Sequence, residues 1–257
     1  MAIPYNCYCL DKNGVVTNDL NKGDLYISVS TVLKQEGKDL VGWALRTFGP
    51  EDNPLKAYQA YMDKVSDLGS RIHAYVENDM KGTPIPDKDI QEDMLPAIES
   101  WEDFKAANKI EMVASEKIVY SPKWRVAGTV DLVVRLNDKL YVADFKTGGV
   151  YASAFTQMAA YKAFMCQEPK KKRIEGIENA DLLVLNLHRD GGSLDLHTLD
   201  SFNKGRVTIE DELGVFHALR YIWYQRNCKV KKFEAVIKNM RDVLNPLEER
   251  FKEAFKL

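Results

Sequence analysis

The chain has 257 residues, a formal net charge of −2 and a pI near 6.1, and 45% of its residues are hydrophobic. This length and hydrophobic content predict one sizeable domain with its own core. The charge excludes a polybasic protein whose overall field attracts nucleic acid, so any such contact must come from a local patch. No apolar stretch reaches the roughly 20 residues that span a membrane, and Met1–Leu10 lacks the regions of a signal peptide. We therefore expect a cytoplasmic protein.

The predicted elements alternate between strands and helices. Two short strands are expected within residues 5–32, followed by helices at about 29–48, 54–80 and 89–108. The second half predicts a strand at 111–120, a hairpin at 128–146, a helix at 152–165, strands at 181–187 and 193–199, and helices from 209 onward and at 244–257. This order predicts an α/β (α+β) fold, with a central mixed sheet flanked by helices.

The most informative segment is the predicted hairpin at residues 128–146 (GTVDLVVRLNDKLYVADFK), with residues 137–138 as its loop. This loop sets a register in which Asp131 lies directly opposite Asp144. The other face of the hairpin is wholly apolar and pairs Val130 with Phe145, Leu132 with Ala143 and Val134 with Tyr141. One face therefore belongs to the core, and the other gathers two carboxylates.

The polar face also carries Lys146, which the register places opposite Thr129. Opposed Cβ atoms in antiparallel strands are roughly 4.5–5.5 Å apart, so Asp131 and Asp144 would repel each other unless a cation lies between them. Carboxylate oxygens are preferred ligands of Mg²⁺ and Mn²⁺. The pattern favours a divalent-metal site with an adjacent lysine. The alternative is a surface hairpin whose acidic residues are balanced by Lys146 and solvent.

Motifs on both sides of the hairpin add to this pattern. Upstream, His73 lies on a predicted helix, on one stripe with Gly69 and Glu77. Downstream, Gln157 and Tyr161 lie one turn apart on another predicted helix. Each motif alone is ordinary, because a single histidine on a helix is usually structural. Their order and spacing together are much less expected by chance.

As a set, these motifs resemble the PD-(D/E)XK nucleases of the RecB-like branch. That branch carries a helix histidine, a Gly-x-x-Asp strand, an Asp/Glu-x-Lys strand and a Gln-x-x-x-Tyr helix, which here are His73, residues 128–131, 144–146 and 157–161. The segment SVSTVL at residues 28–33, followed by Trp43-Ala44, is similar to phage exonucleases and the mitochondrial single-strand exonuclease of this branch. The resemblance covers roughly residues 26–165. The one departure is Val130, which replaces the proline of the family name.

The resemblance implies a restriction-endonuclease-like core and hydrolysis of phosphodiester bonds with Mg²⁺ or Mn²⁺, with two ions expected. Asp131 and Asp144 would be the carboxylate ligands, with the backbone carbonyl of Phe145 beside them. His73 would add a nitrogen ligand, which favours Mn²⁺ more than an all-oxygen site does. Lys146 would orient the attacking water and stabilise developing negative charge.

Three further residues keep two interpretations each. Glu116 either hydrogen-bonds the metal-bound water or joins the ligands, or it is a solvated glutamate at a strand edge. Gln157 and Tyr161 either line the cleft, where they contact substrate phosphate or buttress Lys146, or they belong to a packed helix face.

Substrate contacts are expected from Lys123, Trp124 and Arg125, just before the Gly-x-x-Asp strand. A tryptophan between cations suits base stacking beside a phosphate track, and an exposed turn with one buried aromatic is the alternative. The expected partner is DNA, as single strands or ends, with a recombination or single-strand-binding protein as a further partner. The oligomeric state stays open. Four cysteines without a Cys-x-x-Cys pair do not favour an iron–sulfur cluster.

The leading functional prediction is a metal-dependent DNA exonuclease acting in recombination, repair or phage DNA processing. An endonuclease on the same core is the first alternative, and a catalytically inactive nucleic-acid-binding protein is the second. Degenerate members usually lose a carboxylate or the lysine, and this chain keeps all of them. The whole chain is expected to be one nuclease domain, with an N-terminal region at 1–110, the catalytic sheet at 111–200 and a helical extension at 201–257.

Overall fold

The computed structural model describes residues 3–4, 6–36, 54–234, 236–238 and 240. Its strands are β1 (Cys7–Asp11), β2 (Gly23–Ser28), β3 (Ile110–Ser121), β4 (Val126–Leu136), β5 (Lys139–Lys146), β6 (Asp181–Asn186) and β7 (Asp195–Thr198). Its α-helices are α1 (Val29–Leu33), α2 (Pro54–Met80), α3 (Leu95–Ala107), α4 (Ala152–Gln167), α5 (Leu199–Asn203) and α6 (Ile209–Asn227). The predicted Trp43-Ala44 motif, the end of the 29–48 helix and the 244–257 helix lie outside the described residues.

The described strands form one mixed sheet in the order β1-β2-β4-β5-β6-β7, with β3 paired to β4 outside this path. β3 pairs antiparallel with β4 from Ile110 to Ser121 and so occupies one edge of β4 along its length. β2, which runs parallel to β4, and β5, which runs antiparallel to it, share the other edge. β6 extends the sheet as a parallel neighbour of β5. The predicted mixed sheet flanked by helices, as in a restriction-endonuclease-like core, is confirmed.

The hairpin of β4 and β5 has the predicted register, with Leu132 facing Ala143 and Val134 facing Tyr141. The ladder ends at the Leu132–Ala143 pair. The predicted ladder pairs Asp131–Asp144, Val130–Phe145 and Thr129–Lys146 are therefore wrong. The physical reason is that β5 follows β6 as far as Lys146, whereas β4 follows β3 as far as Val126, so the two strands separate.

Two buried clusters cover the two faces of the sheet. On one face, α4 and α6 pack on the sheet through a cluster that includes Val133, Val142, Phe155, Phe164 and Phe216. On the other face, α2 and α3 pack through a cluster that includes Ile72, Trp101, Leu132, Phe145 and Leu185. Each such side chain contributes roughly 1.5–3 kcal/mol when it is fully buried. The sheet is thus the central layer between two layers of helices.

The helix boundaries follow local signals. α2 has the predicted bounds, whereas α3 begins at Leu95 instead of about residue 89, with Pro96 in its first turn and short 3₁₀ turns before it. α6 begins after Thr208, which forms a reciprocal capping box with Asp211. Within the part of the chain that the structure describes, no helix has both the length and the apolar character needed to cross a membrane.

Candidate active site

The sheet contains a fork at the Gly-x-x-Asp segment of β4. On the edge away from β3, β4 pairs with β2 at Val126 and Ala127 and with β5 only from Leu132 onward. Residues 128–131 lie between these two ladders, with β3 on one side and no strand partner among the described residues on the other. The fork leaves the side chain of Asp131 at the point where β5 diverges.

Asp131 and Asp144 meet at this fork. Burial, the side-chain contact with Asp144 and the charge of that carboxylate together raise the pKa of Asp131 to about 8. Asp144 is only 4% exposed, and its Oδ2 forms an ion pair with the Lys146 ammonium while accepting no hydrogen bond of regular geometry. A half-buried and a buried carboxylate in contact therefore share one lysine as a neighbouring cation.

Lys146 is the part of this cluster that solvent can reach. Its side chain is 34% exposed, whereas that of Asp144 is 6% exposed. The ammonium thus lies at the boundary between the carboxylates and the open cleft. A cation in this place can contact both a buried anion and a bound substrate phosphate.

α2 brings His73 to the end of β5. The imidazole ring packs edge-on against Phe145, with ring centroids 5.8 Å apart. Burial lowers the pKa of His73, and the charge of Asp144 opposes this effect. Gly69, one turn earlier, allows the close approach, because a Cβ atom there would stand 3.0 Å from Oγ1 of Thr147. The helix face that carries Gly69 and His73 therefore points toward the carboxylate cluster. The imidazole of His73 is neutral, which is the form of histidine that binds metal ions.

Glu116 lies beside Asp131 in the β3–β4 ladder, between the pairs Ser115–Leu132 and Lys117–Val130. Its φ of 47° is in the left-handed region, which costs a residue with a Cβ atom about 1–3 kcal/mol. Burial, followed by the charge of nearby Glu77, raises the pKa of Glu116. Glu116 is thus an exposed glutamate on a strained backbone beside Asp131, and both interpretations of this residue stay open.

α4 contributes Gln157 and Tyr161 to the same region. Nε2 of Gln157 donates a hydrogen bond of 2.9 Å to the hydroxyl of Tyr161, which is 6% exposed. Burial raises the pKa of Tyr161, with Asp131 and Asp144 adding to the effect. Tyr161 is thus a packed side chain behind the fork, whereas Gln157 reaches the cleft.

The turn of Lys123, Trp124 and Arg125 lies just before β4, whose first residue is about 17 Å along the strand from Asp131 at the usual rise per residue. Trp124 packs edge-on against Phe164, with centroids 5.6 Å apart, and is partly buried against the cluster beneath α4 and α6. Arg125 forms an ion pair of 3.0 Å with Asp24, and Lys123 is exposed. Trp124 thus packs partly against the core between an exposed lysine and an ion-paired arginine, and the substrate contacts of this turn stay a prediction.

A cavity of about 390 Å³ beside Lys146 was not anticipated from the sequence as a site. It is lined by residues of α1, the loop after β5 and the start of α4, including Ser30, Lys34, Tyr151 and Gln157. Lys146, Gln157 and the SVSTVL segment were the sequence signals near it. Another cavity, of about 460 Å³ between α3 and Leu194, contains none of the predicted site residues.

The donor set at the fork fits a divalent cation in its chemistry. A cation would relieve the repulsion between Asp131 and Asp144 and satisfy the buried oxygen of Asp144 that accepts no regular hydrogen bond. Among the residues that the structure describes, no three histidine, cysteine, aspartate or glutamate side chains form a complete ligand cluster. The carbonyl of Phe145, the imidazole of His73 and water are the remaining donors.

Comparison with known proteins agrees with this architecture. No curated protein matches the chain. The family model of the PD-(D/E)XK nuclease superfamily matches residues 87–254, well over half of the sequence, including the fork, β5 and α4. Nucleases of this superfamily generally use divalent metal ions such as Mg²⁺. The chain belongs to the PD-(D/E)XK nuclease superfamily.

Proposed function

We propose that this chain is a divalent-metal-dependent DNA exonuclease of the RecB-like branch, acting on single strands or DNA ends in recombination, repair or phage DNA processing. The observation that carries the proposal is the contact between Asp131 and Asp144 beside Lys146, at the fork of the sheet. Superfamily members that have lost activity usually lack one of these groups, and here all three stand together.

In this proposal, Asp131, Asp144 and the carbonyl of Phe145 hold the ions, and His73 supplies a nitrogen donor from the opposite layer. The bound ions would make a water nucleophilic and would stabilise the attacking and leaving oxygens. Burial of Asp144 keeps solvent away from that carboxylate, which strengthens its electrostatic interactions in the site.

Lys146 has the position needed to act on the substrate directly. Its ammonium is held by Asp144 and is partly exposed toward the cleft. It would orient the attacking water and stabilise the charge that develops on the phosphate. Gln157 would contact the substrate from α4, and Tyr161 would fix the backbone of β4 behind Asp131. Glu116 would hydrogen-bond the attacking water from β3.

The shape of the cleft supports an exonuclease over an endonuclease. The cavity of about 390 Å³ beside Lys146 is bordered by α1, the turn that follows α1 and the start of α4. Cavities of this size are typical of sites that take one small ligand, here one nucleotide at the end of a strand. An endonuclease must instead accept a continuous strand on both sides of the scissile bond.

The test is digestion of oligonucleotides labelled separately at their 5′ and 3′ ends, with Mg²⁺ or Mn²⁺, on single-stranded, duplex and circular DNA. Lys146→Ala is compared with Lys139→Ala, which removes the other ion-paired lysine of β5, at its far end. We expect cleavage of linear but not circular DNA, lost only in Lys146→Ala. Cutting of circles would support an endonuclease, and binding without cleavage would support an inactive binding protein.

A further inference from the structure

The loop that follows Lys146 contains two adjacent glycines, each covered by one side chain. A Cβ atom built on Gly148 would stand 3.5 Å from Nη2 of Arg189. A Cβ atom built on Gly149 would stand 3.1 Å from the hydroxyl oxygen of Tyr151. A guanidinium and an aromatic ring therefore flank this loop, within a few residues of the lysine at the candidate active site.

Arg189 is held in place by the backbone of the end of β6. The amide of Leu187 donates to the carbonyl of Lys146 at 2.8 Å. With its amide group oriented to donate, Asn186 bonds the carbonyls of Lys146 and Gly148, each at 3.0 Å. These hydrogen bonds connect the loop to the end of β6. They therefore fix the position of the backbone that leads to Arg189.

The guanidinium of Arg189 is half-buried and makes no hydrogen bond or ion pair with the residues that the structure describes. Most half-buried arginines bind a carboxylate or a carbonyl, because a donor that has lost its hydration without gaining a partner costs free energy. A guanidinium presents a planar fork of donors that matches two oxygens of a phosphate. Arg189 therefore has the free donors and the position to take an anionic ligand beside the loop.

Tyr151 is the aromatic residue that contacts the same loop, at Gly149. It is 61% exposed and lies immediately before α4. It lines the same cavity as Lys146 and Gln157, together with Lys34 and Glu36. An exposed aromatic ring beside cationic side chains is the arrangement that binds unpaired bases next to a phosphate backbone.

We propose that single-stranded nucleic acid binds across the loop at residues 147–150. In this complex, Arg189 binds a backbone phosphate and Tyr151 stacks on an unpaired base. The inference rests on the proposed function, because it takes the scissile bond to lie at Lys146. A base that is paired in a duplex cannot place its face against Tyr151, so the subsite distinguishes single strands from duplexes. The overall charge of −2 is compatible with this, since the attraction is local.

The test measures binding in EDTA, where cleavage is absent, by fluorescence anisotropy with a labelled oligothymidine and with the same strand annealed to its complement. The variants are Arg189→Ala, Arg189→Lys, Tyr151→Ala and Tyr151→Phe. Lys171→Ala is the charge-matched control, because this exposed lysine lies beyond the C-terminal end of α4, about 24 Å along the helix from Tyr151. Circular dichroism verifies that each variant is folded.

We expect Tyr151→Ala to bind the single strand about ten-fold more weakly, with duplex binding unchanged and Tyr151→Phe like the wild type. Arg189→Ala should lower the slope of log affinity against log salt by about 0.7, the value for one phosphate contact on a single strand. Arg189→Lys and Lys171→Ala should keep the slope.

Wild-type binding by both alanine variants, or equal losses on single strand and duplex in Tyr151→Ala, would overturn the inference. So would a change of slope in Lys171→Ala equal to that in Arg189→Ala. If the wild type cleaves DNA and these results are found, only the inference fails and the proposed function stands. A wild type that neither binds nor cleaves nucleic acid would overturn both.

Discussion

The ring of Tyr161 lies against Gly128, so that a Cβ atom at this glycine would stand 2.6 Å from Cε1 of the ring. Gly128 is in the part of β4 that has no strand partner on one edge among the described residues, and the ring of Tyr161 occupies the space that a side chain at Gly128 would need. Gln157 fixes the ring through its hydroxyl. The Gly-x-x-Asp and Gln-x-x-x-Tyr segments are thus one packing unit, which sets the position of Asp131.

This contact predicts the effect of Gly128→Ala. The added methyl group must displace the buried ring of Tyr161, and such overpacking costs typically 1–3 kcal/mol in the free energy of unfolding. A double-mutant cycle with Tyr161→Ala should show a coupling above about 0.5 kcal/mol in urea unfolding. Gly214→Ala is the control, because its site on α6 is open, and we expect it to stabilise the protein. Additive effects at Gly128 and Tyr161 would show that the two residues are not in contact.

Divalent ions should stabilise the protein through the two carboxylates. A ligand that binds only the folded state contributes about 2.7 kcal/mol at one hundred times its dissociation constant. Mg²⁺ or Mn²⁺ should therefore raise the Tm of the wild type but not that of Asp131→Asn or Asp144→Asn. Asp181→Asn, which removes the carboxylate paired with Lys139 at the far end of β5, should respond as the wild type does. An unchanged metal response in Asp144→Asn would place the ions elsewhere.

The left-handed backbone of Glu116 predicts opposite effects on stability and activity. Glu116→Gly removes the conformational strain and one negative charge near Asp131, so we expect the free energy of unfolding to rise by about 1 kcal/mol. DNA cleavage should fall, because the carboxylate is lost. Glu111→Gly, at an exposed position of the same strand, should instead destabilise by about 1 kcal/mol. Equal destabilisation by both substitutions would contradict the strain at residue 116.

Short-range rules predicted the parts of the site that lie within one element or one hairpin. The two-residue loop at Asn137-Asp138 determines the register that faces Leu132 with Ala143, because hairpin pairing is local. The stripe on α2 follows from the helical period, which is why His73 could be assigned to the face that meets β5.

Long-range pairing explains what the sequence did not predict. The end of the β4–β5 ladder depends on β2 and β6, which pair with these strands from distant parts of the chain. Trp124 packs beneath α6, which begins more than eighty residues later, so its burial has no local signal. Arg189 reaches the loop after β5 only because β6 lies beside that strand. These three positions could be assigned only once the sheet order was known.

His217 provides a test of stability against pH, away from the candidate metal site. Its ring stands perpendicular to that of Trp124, with centroids 4.2 Å apart, and its Nδ1 is buried without a hydrogen-bond partner. Burial, aided by the charges of Arg220 and Lys123, lowers the pKa of His217 from 6.5 to about 4. Below pH 6.5 the unfolded chain therefore binds a proton that the folded protein rejects, so stability falls as the pH falls toward 4.

His217→Phe should remove this dependence, because phenylalanine keeps the edge-on contact with Trp124 and cannot be protonated. Between pH 7.5 and pH 5, we expect the free energy of unfolding of the wild type to fall by about 1–2 kcal/mol more than that of the variant. This range allows for the half-buried position of His217, where solvent partly screens its charge. Urea unfolding at the two pH values measures the difference. If both proteins lose the same free energy of unfolding, His217 is protonated equally in the folded and unfolded states, and its burial beneath the turn does not control its charge.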